Sequence, residues 1–236
     1  GKSALLAAWI SNLGPRIPER HFIHYIGGTP ESASVGSIIR RLMAQIRDWG
    51  AVADPIPDDL SDAVELLPTW LQRSVEGQKD GVLIVLDALN QIEKEWDKTL
   101  WWLPKDLPEG VRVVASTLTG SSQSALEKRG WTKSSVSVPL LGDDEKRTII
   151  VSYLANFSKG LAGPLADRLV KAPQAANPLF LRVVLDELRL RARHENLASS
   201  LDKMLQAKNP VELYVQVLKN LEEFDKDRPN LVREAM

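Results

Sequence analysis

Apolar positions divide the chain into two regions of different rhythm. Residues 81–86 run Gly-Val-Leu-Ile-Val-Leu without a polar break and end on Asp87, the pattern of a parallel strand buried on both faces. Residues 111–115 repeat the form after the turn Pro108-Glu109-Gly110 and end in Ser116-Thr117. Residues 21–26 form a shorter β-prone run closed by Gly27-Gly28, and 135–138 are expected to add a further strand. Between these runs the period changes to that of a helix. Residues 2–10 read as a helix ended by Gly14-Pro15, and 34–49 carry Val35, Ile38, Ile39, Leu42, Met43 and Ile46 on one face. Residues 63–75 carry Val64, Leu67, Leu71 and Val75 and are interrupted by Pro68, and 122–129 form a shorter helix. Alternation of this kind predicts an α/β fold, a parallel sheet with helices on both faces. After Leu141-Gly142 the segments 143–157, 161–171, 178–193, 198–205 and 211–224 all have helical periodicity and no strand stands among them. The expected division is an α/β region over 1–141 and an all-helical subdomain over 142–236.

Composition narrows the class. Lysine and arginine number 30 against 31 acidic residues, for a formal charge of -1, so bulk charge gives no reason to expect nucleic acid or an anionic membrane as partner. No apolar run reaches membrane-spanning length, and the first residues lack a signal-peptide pattern. The chain has no cysteine and only 3 scattered histidines, which removes disulfide frameworks and cysteine-ligated zinc. An intracellular, cytoplasmic fold is expected. The chain opens on Gly1-Lys2-Ser3 and stops inside a helical pattern at Arg233-Glu234-Ala235-Met236, which reads as a segment cut from a larger parent.

Gly1-Lys2-Ser3 matches the last three positions of a Walker A loop. In that loop, backbone N–H groups at a helix start cradle phosphates, the lysine reaches the β and γ phosphates, and the hydroxyl binds Mg²⁺. Read alone, the tripeptide is also an ordinary helix start. Asp87, at the end of the strongest strand, matches the Walker B carboxylate that holds Mg²⁺, and an acidic strand-end residue capping a turn is the alternative. Ser116 and Thr117 stand where a γ-phosphate sensor would, or form a turn. Asn177-Pro178 is local helix-start chemistry. Trp96, Trp101 and Trp102 read as burial against a core edge, with a partner surface as the alternative. His21 and His24 read as structural, and the mixed charges of 189–195 as a solvated helix face.

Together these segments resemble the STAND class of P-loop NTPases, in particular its NACHT-like branch with nephrocystin-type signalling proteins. The resemblance rests on Gly1-Lys2-Ser3-Ala4-Leu5-Leu6, on Leu83 to Asp87 with Ala88-Leu89-Asn90-Gln91, on Val111 to Thr117, and on Asn177-Pro178-Leu179-Phe180-Leu181. It implies a three-layer P-loop domain whose helical subdomain closes over ATP or ADP with Mg²⁺. Gly1, Lys2, Ser3 and Ala4 would hold phosphates, Ser3 and Asp87 the metal, Ser116 and Thr117 the γ-phosphate end, and Pro178 with its neighbour Asn177 the base.

Two departures bear on the chemistry. The family places acidic residues after the Walker B aspartate, where this chain has Asn90 and Gln91, neither of which takes a proton from water. Gln91 can orient water and Glu93 supplies a nearby carboxylate, so these two are the candidate catalytic residues, and hydrolysis is expected to be slow or conditional. Leu118 stands near the place of the family's sensor arginine. The resemblance therefore implies a nucleotide-dependent switch joined to repeat sensor and effector regions of the same parent chain, with homo-oligomerisation on activation. A continuously hydrolysing AAA-like ATPase and an interaction module that has lost nucleotide binding are the alternatives.

Overall fold

The computed structural model describes residues 1–94, 99–190 and 196–224, with 132, 133 and 222–224 described in backbone alone. Trp96, the charged positions 191–195 and the end of the chain at 233–236 lie outside the described residues. The chain forms two compact units, Lys2–Ser137 and Val138–Met236, with Gly1 grouped with the second.

The first unit begins with α1 (Lys2–Leu13), followed by β1 (Arg20–Tyr25), α2 (Val35–Asp48) and α3 (Leu60–Val75). Then come β2 (Val82–Asp87), β3 (Val111–Ala115) and α4 (Ser121–Lys128). The strands form a parallel sheet in the order β1-β2-β3, with Arg20 opposite Val82 and Val82 opposite Val111. All six residues of β2 are buried, as its unbroken apolar run requires. Side chains alternate across a strand, so Val82, Ile84 and Leu86 share one face with Phe22. They pack there against Ile38, Ile39, Leu42, Met43 and Ile46 of α2 and Leu67 and Leu71 of α3. Leu83 and Val85 are buried outside that cluster, and α1 lies against β2. Asp87 follows the parity of Leu83 and Val85 and therefore belongs to the face away from the main core.

One expectation changes in this unit. The segment 135–138, expected as a strand, is irregular, with Val136 86% exposed. A strand exists only where a neighbour pairs its amides and carbonyls, and the alternation Ser-Val-Ser-Val supplies two faces without a partner. The helix expected over 63–75 is present as α3, which runs through Pro68 and starts on an Asp59 cap whose carboxylate accepts from Ser61 N at 2.7 Å and Asp62 N at 3.2 Å.

The second unit holds α5 (Asp143–Ala155), α6 (Gly163–Lys171), α7 (Pro178–Leu190), α8 (Leu197–Met204) and α9 (Pro210–Phe224), with no strand among its described residues. Its core is centred on α7, whose Phe180, Leu181, Val184, Leu185 and Leu188 pack with Ile150 and Leu154 of α5 and Leu169 of α6. Each such side chain contributes roughly 1.5–3 kcal/mol by leaving water. On the α5–α7 seam, Tyr153 donates to Asp186 while Arg182 and Arg189 stack on the rings of Tyr153 and Phe157.

Candidate functional site

The C-terminal ends of the strands are tied into one network centred on Asp87. This carboxylate is 3% exposed, and its Oδ1 accepts the hydroxyl hydrogen of Ser116, the first residue after β3. The same Ser116 oxygen accepts from Ala88 N at 2.9 Å. Backbone bonds reinforce the junction: Ile26 N reaches Asp87 O at 3.1 Å, Ser116 N reaches Leu86 O at 2.9 Å, and Leu89 N reaches Ser116 O at 2.8 Å. The chain leaves β2 through Ala88 at φ 62°, a left-handed conformation that turns it sharply away from the sheet. A carboxylate buried at the end of a strand and held by a hydroxyl is a fixed negative point, suited to a cation or to a hydrogen-bonded water.

The residues beyond it have structural engagements of their own. Asn90 Oδ1 accepts from Leu118 N at 3.0 Å, binding the loop after β2 to the loop after β3. The Gln91 carboxamide fills the space that a Cβ on Gly27 would occupy, at φ +83°, so the β1 loop is closed against it. Glu93 is exposed, and its backbone N–H donates to Ala33 O at 3.2 Å. Thr117 Oγ1 donates to Leu118 O at 3.1 Å. Ser116 is therefore the member of the Ser116-Thr117 pair that meets the carboxylate.

Gly1, Ser3 and Ala4 are exposed and Lys2 is half-buried at the start of α1. No acidic residue stands in the first turn of that 12-residue helix, so the positive end of its dipole is not offset from within. A six-residue connection leads from α1 to β1, returning the chain to the edge of the sheet where the strands begin. In the second unit, Asn177 caps α7: its Oδ1 accepts from Leu179 N at 2.9 Å and Phe180 N at 3.4 Å, with Pro178 opening the helix. Its side-chain oxygen serves its own helix.

Sequence reasoning passed over the backbone conformation of Ala88. Nothing in its identity marks Ala88 as left-handed. His24, read as structural, is 1% exposed with Nε2 2.8 Å from Ser32 O and Nδ1 2.9 Å from Arg41 Nη1. Burial holds its imidazole below the ordinary 6.5, the Ser32 carbonyl pulls upward, and the Arg41 cation pushes down. Trp102 is 1% exposed and Trp101 39%, so only the first is a core residue. A cavity of about 400 Å³ in this unit is lined by residues of β1 and α2, and neither Asp87 nor Ser116 takes part in it.

No protein-family model matches the chain. It is 25% identical over 278 residues to a TPR repeat-containing protein of Dictyostelium discoideum, covering 100% of this chain and 16% of that protein. Against Nephrocystin-3 of Xenopus laevis it is 25% identical over 233 residues, 94% of this chain and 17% of that protein. A shorter match, 28% over 128 residues, joins 50% of this chain to 7% of the NACHT and WD repeat domain-containing protein 2 of Homo sapiens. The chain thus spans less than a fifth of the length of these relatives. Among the described residues no helix is long and apolar enough to cross a membrane. The chain is similar to large repeat-containing proteins, and half of it to one whose name includes NACHT.

Proposed function

We propose that the chain is a P-loop nucleotide-binding module of a larger signalling protein, holding ATP or ADP with Mg²⁺ and changing conformation with the nucleotide. The observation that carries this reading is Asp87, buried at the end of the central strand with one oxygen held by Ser116. The donor set suits the ligand. The start of α1 offers unpaired backbone N–H groups and Lys2 for phosphate oxygens, and Ser3 with Asp87 supplies hard oxygen ligands for Mg²⁺. When bound, Mg²⁺ neutralises phosphate charge. Ser116 fixes the orientation of Asp87. The similarity to a NACHT-named protein supports the same reading.

Slow hydrolysis follows from what the neighbouring side chains do. Asn90 is spent on the Leu118 amide, Gln91 lies over Gly27, and neither carries a carboxylate to take a proton from water. Glu93 is the remaining candidate base, and it is exposed. A nucleotide that persists can act as a switch only if the two conformations bind it with different affinity, since equal affinity shifts nothing.

The test is to purify the intact parent protein, denature it and identify the released nucleotide by chromatography, beside a Lys2→Ala variant. Near-stoichiometric adenine nucleotide in the wild type and its loss in the variant is the expected result. An empty wild-type protein that also fails to take up added Mg-ATP would sink the proposal and leave an interaction module.

A further inference from the structure

The outer edge of β1 carries a groove that the nucleotide reading does not use. It is lined by His21, Phe22 and Ile23 on one wall and by Arg41, Ala44, Gln45 and Asp48 on the other. Consecutive strand residues point their side chains to opposite faces, so three in a row share one cavity only through the backbone edge of the strand. Among the described residues β1 pairs with β2 on one side alone, which leaves the hydrogen-bonding groups of its other edge facing this groove. Arg41, Ala44, Gln45 and Asp48 are spaced i, i+3, i+4 and i+7, a single stripe of α2.

The charges on that stripe are left open. Neither Arg41 nor Asp48 has an ion-pair partner among the described residues. Arg41 is oriented by its bond to the buried His24, at 2.9 Å. Asp48 is the last residue of α2, where the negative end of the helix dipole disfavours a carboxylate. Each end of the stripe lacks a charge that the other end carries.

We infer that this edge is the contact surface for a second copy of the same chain, in a two-fold dimer that doubles the sheet through antiparallel β1–β1 pairing. A two-fold axis between Ala44 and Gln45 would set Arg41 against the partner's Asp48 and Asp48 against the partner's Arg41. On the strand the corresponding centre is Phe22, the middle residue of the groove's strand wall. Small Ala44 at the helix crossing lets the two α2 helices approach. An extended peptide could pair with the same edge, but it has no reason to match a stripe whose charges invert about its own midpoint. Self-complementarity of this kind is what an isologous interface demands. This dimer is closed and independent of nucleotide, so its failure leaves the nucleotide proposal untouched.

The experiment is sedimentation velocity on the full chain, from about 1 to about 200 µM, with Arg41→Glu, with Asp48→Arg and with an equimolar mixture of the two variants. Wild type is expected to show a concentration-dependent dimer weakened by salt. Each variant alone places two like-charge contacts in the interface and should weaken self-association by roughly tenfold or more. Mixed together, the two variants restore opposite charges at both contacts and should form a heterodimer of at least wild-type affinity. Far-UV circular dichroism checks that each is folded, and Asp48→Arg leaves the Arg41–His24 bond intact. A wild type that stays monomeric across the range overturns the inference. So does a dimer indifferent to both substitutions, or a mixture that fails to associate.

Discussion

The Ser116 hydroxyl donates to Asp87 Oδ1, joining the last residue of β2 to the first residue beyond β3. Because the same oxygen accepts the Ala88 amide, one hydroxyl supports both the carboxylate and the turn that follows it. Asp87 is buried and Ala88 half-buried, so removing the hydroxyl leaves a carboxylate oxygen and an amide each short of a partner. Ser116→Ala is expected to cost about 2 kcal/mol in urea unfolding, while Ser116→Thr, which keeps the oxygen, should cost less than half of that. Equal losses for the two would mean that packing, and not the hydrogen bonds, sets the stability of the junction.

Backbone strain at the same turn gives a prediction of opposite sign. Ala88 sits at φ 62° and ψ 50°, a conformation in which its Cβ crowds the backbone. Ala88→Gly is therefore expected to stabilise the fold by about 0.5–1 kcal/mol, the relief of strain being partly offset by a more flexible unfolded chain. Gly81, at φ +70°, is the reverse case. A Cβ there would strike the Gly110 carbonyl oxygen, which is itself fixed by the Val82 amide at 2.9 Å. Gly81→Ala should cost at least about 3 kcal/mol, and a smaller effect would mean that the entries to β2 and β3 can separate.

His24 supplies a pH dependence. Its folded-state pKa is held below 6.5, so above 6.5 the ring is neutral in both folded and unfolded chains and stability is level. Below 6.5 the unfolded chain takes up the proton first, and stability falls until the pH passes below the folded value, at a slope of up to about 1.4 kcal/mol per pH unit. Protonation would also turn the Nδ1 that accepts from Arg41 into a donor. Unfolding free energies measured between pH 7.5 and 5.5 should show this decline in wild type and a flatter profile in His24→Gln. An unchanged slope in the variant would assign the decline to other groups.

These residues also show what a single sequence discloses. The central strand could be read almost to the residue, because burial on both faces leaves an unbroken apolar run that ends on the buried Asp87. The stripe of α2 was equally plain, since Val35 to Ile46 repeat at helical spacing and all bury. The segment 135–138 failed because alternation specifies two faces and says nothing of a neighbouring strand. At the candidate site, the sequence marks Asp87 and Ser116 as positions but not as partners. Their meeting depends on the in-register pairing of β2 with β3, which sets Leu86 opposite Ala115 and so brings the next residues together. The left-handed Ala88, the Asn90–Leu118 bond and the packing of Gln91 on Gly27 arise from loop closure, for which none of these residue types is a signal.

A last prediction concerns the helical unit, where Lys146 is 5% exposed although it carries a full charge. Its ammonium donates to the Val170 carbonyl near the end of α6 and pairs with Asp143 at 2.7 Å. The carbonyl belongs to the last turn of a helix, which has no intrahelical donor to receive, so Lys146 acts as a cap supplied from α5. Lys146→Met keeps the apolar stem and removes the cap, and should cost about 1–2 kcal/mol. Lys146→Ala also removes the buried apolar stem and should cost about 2–4 kcal/mol. Asp143 is exposed to solvent, so Asp143→Asn should change the midpoint of unfolding little. If instead Asp143→Asn costs as much as Lys146→Met, the ion pair and not the carbonyl cap is what holds α5 to α6.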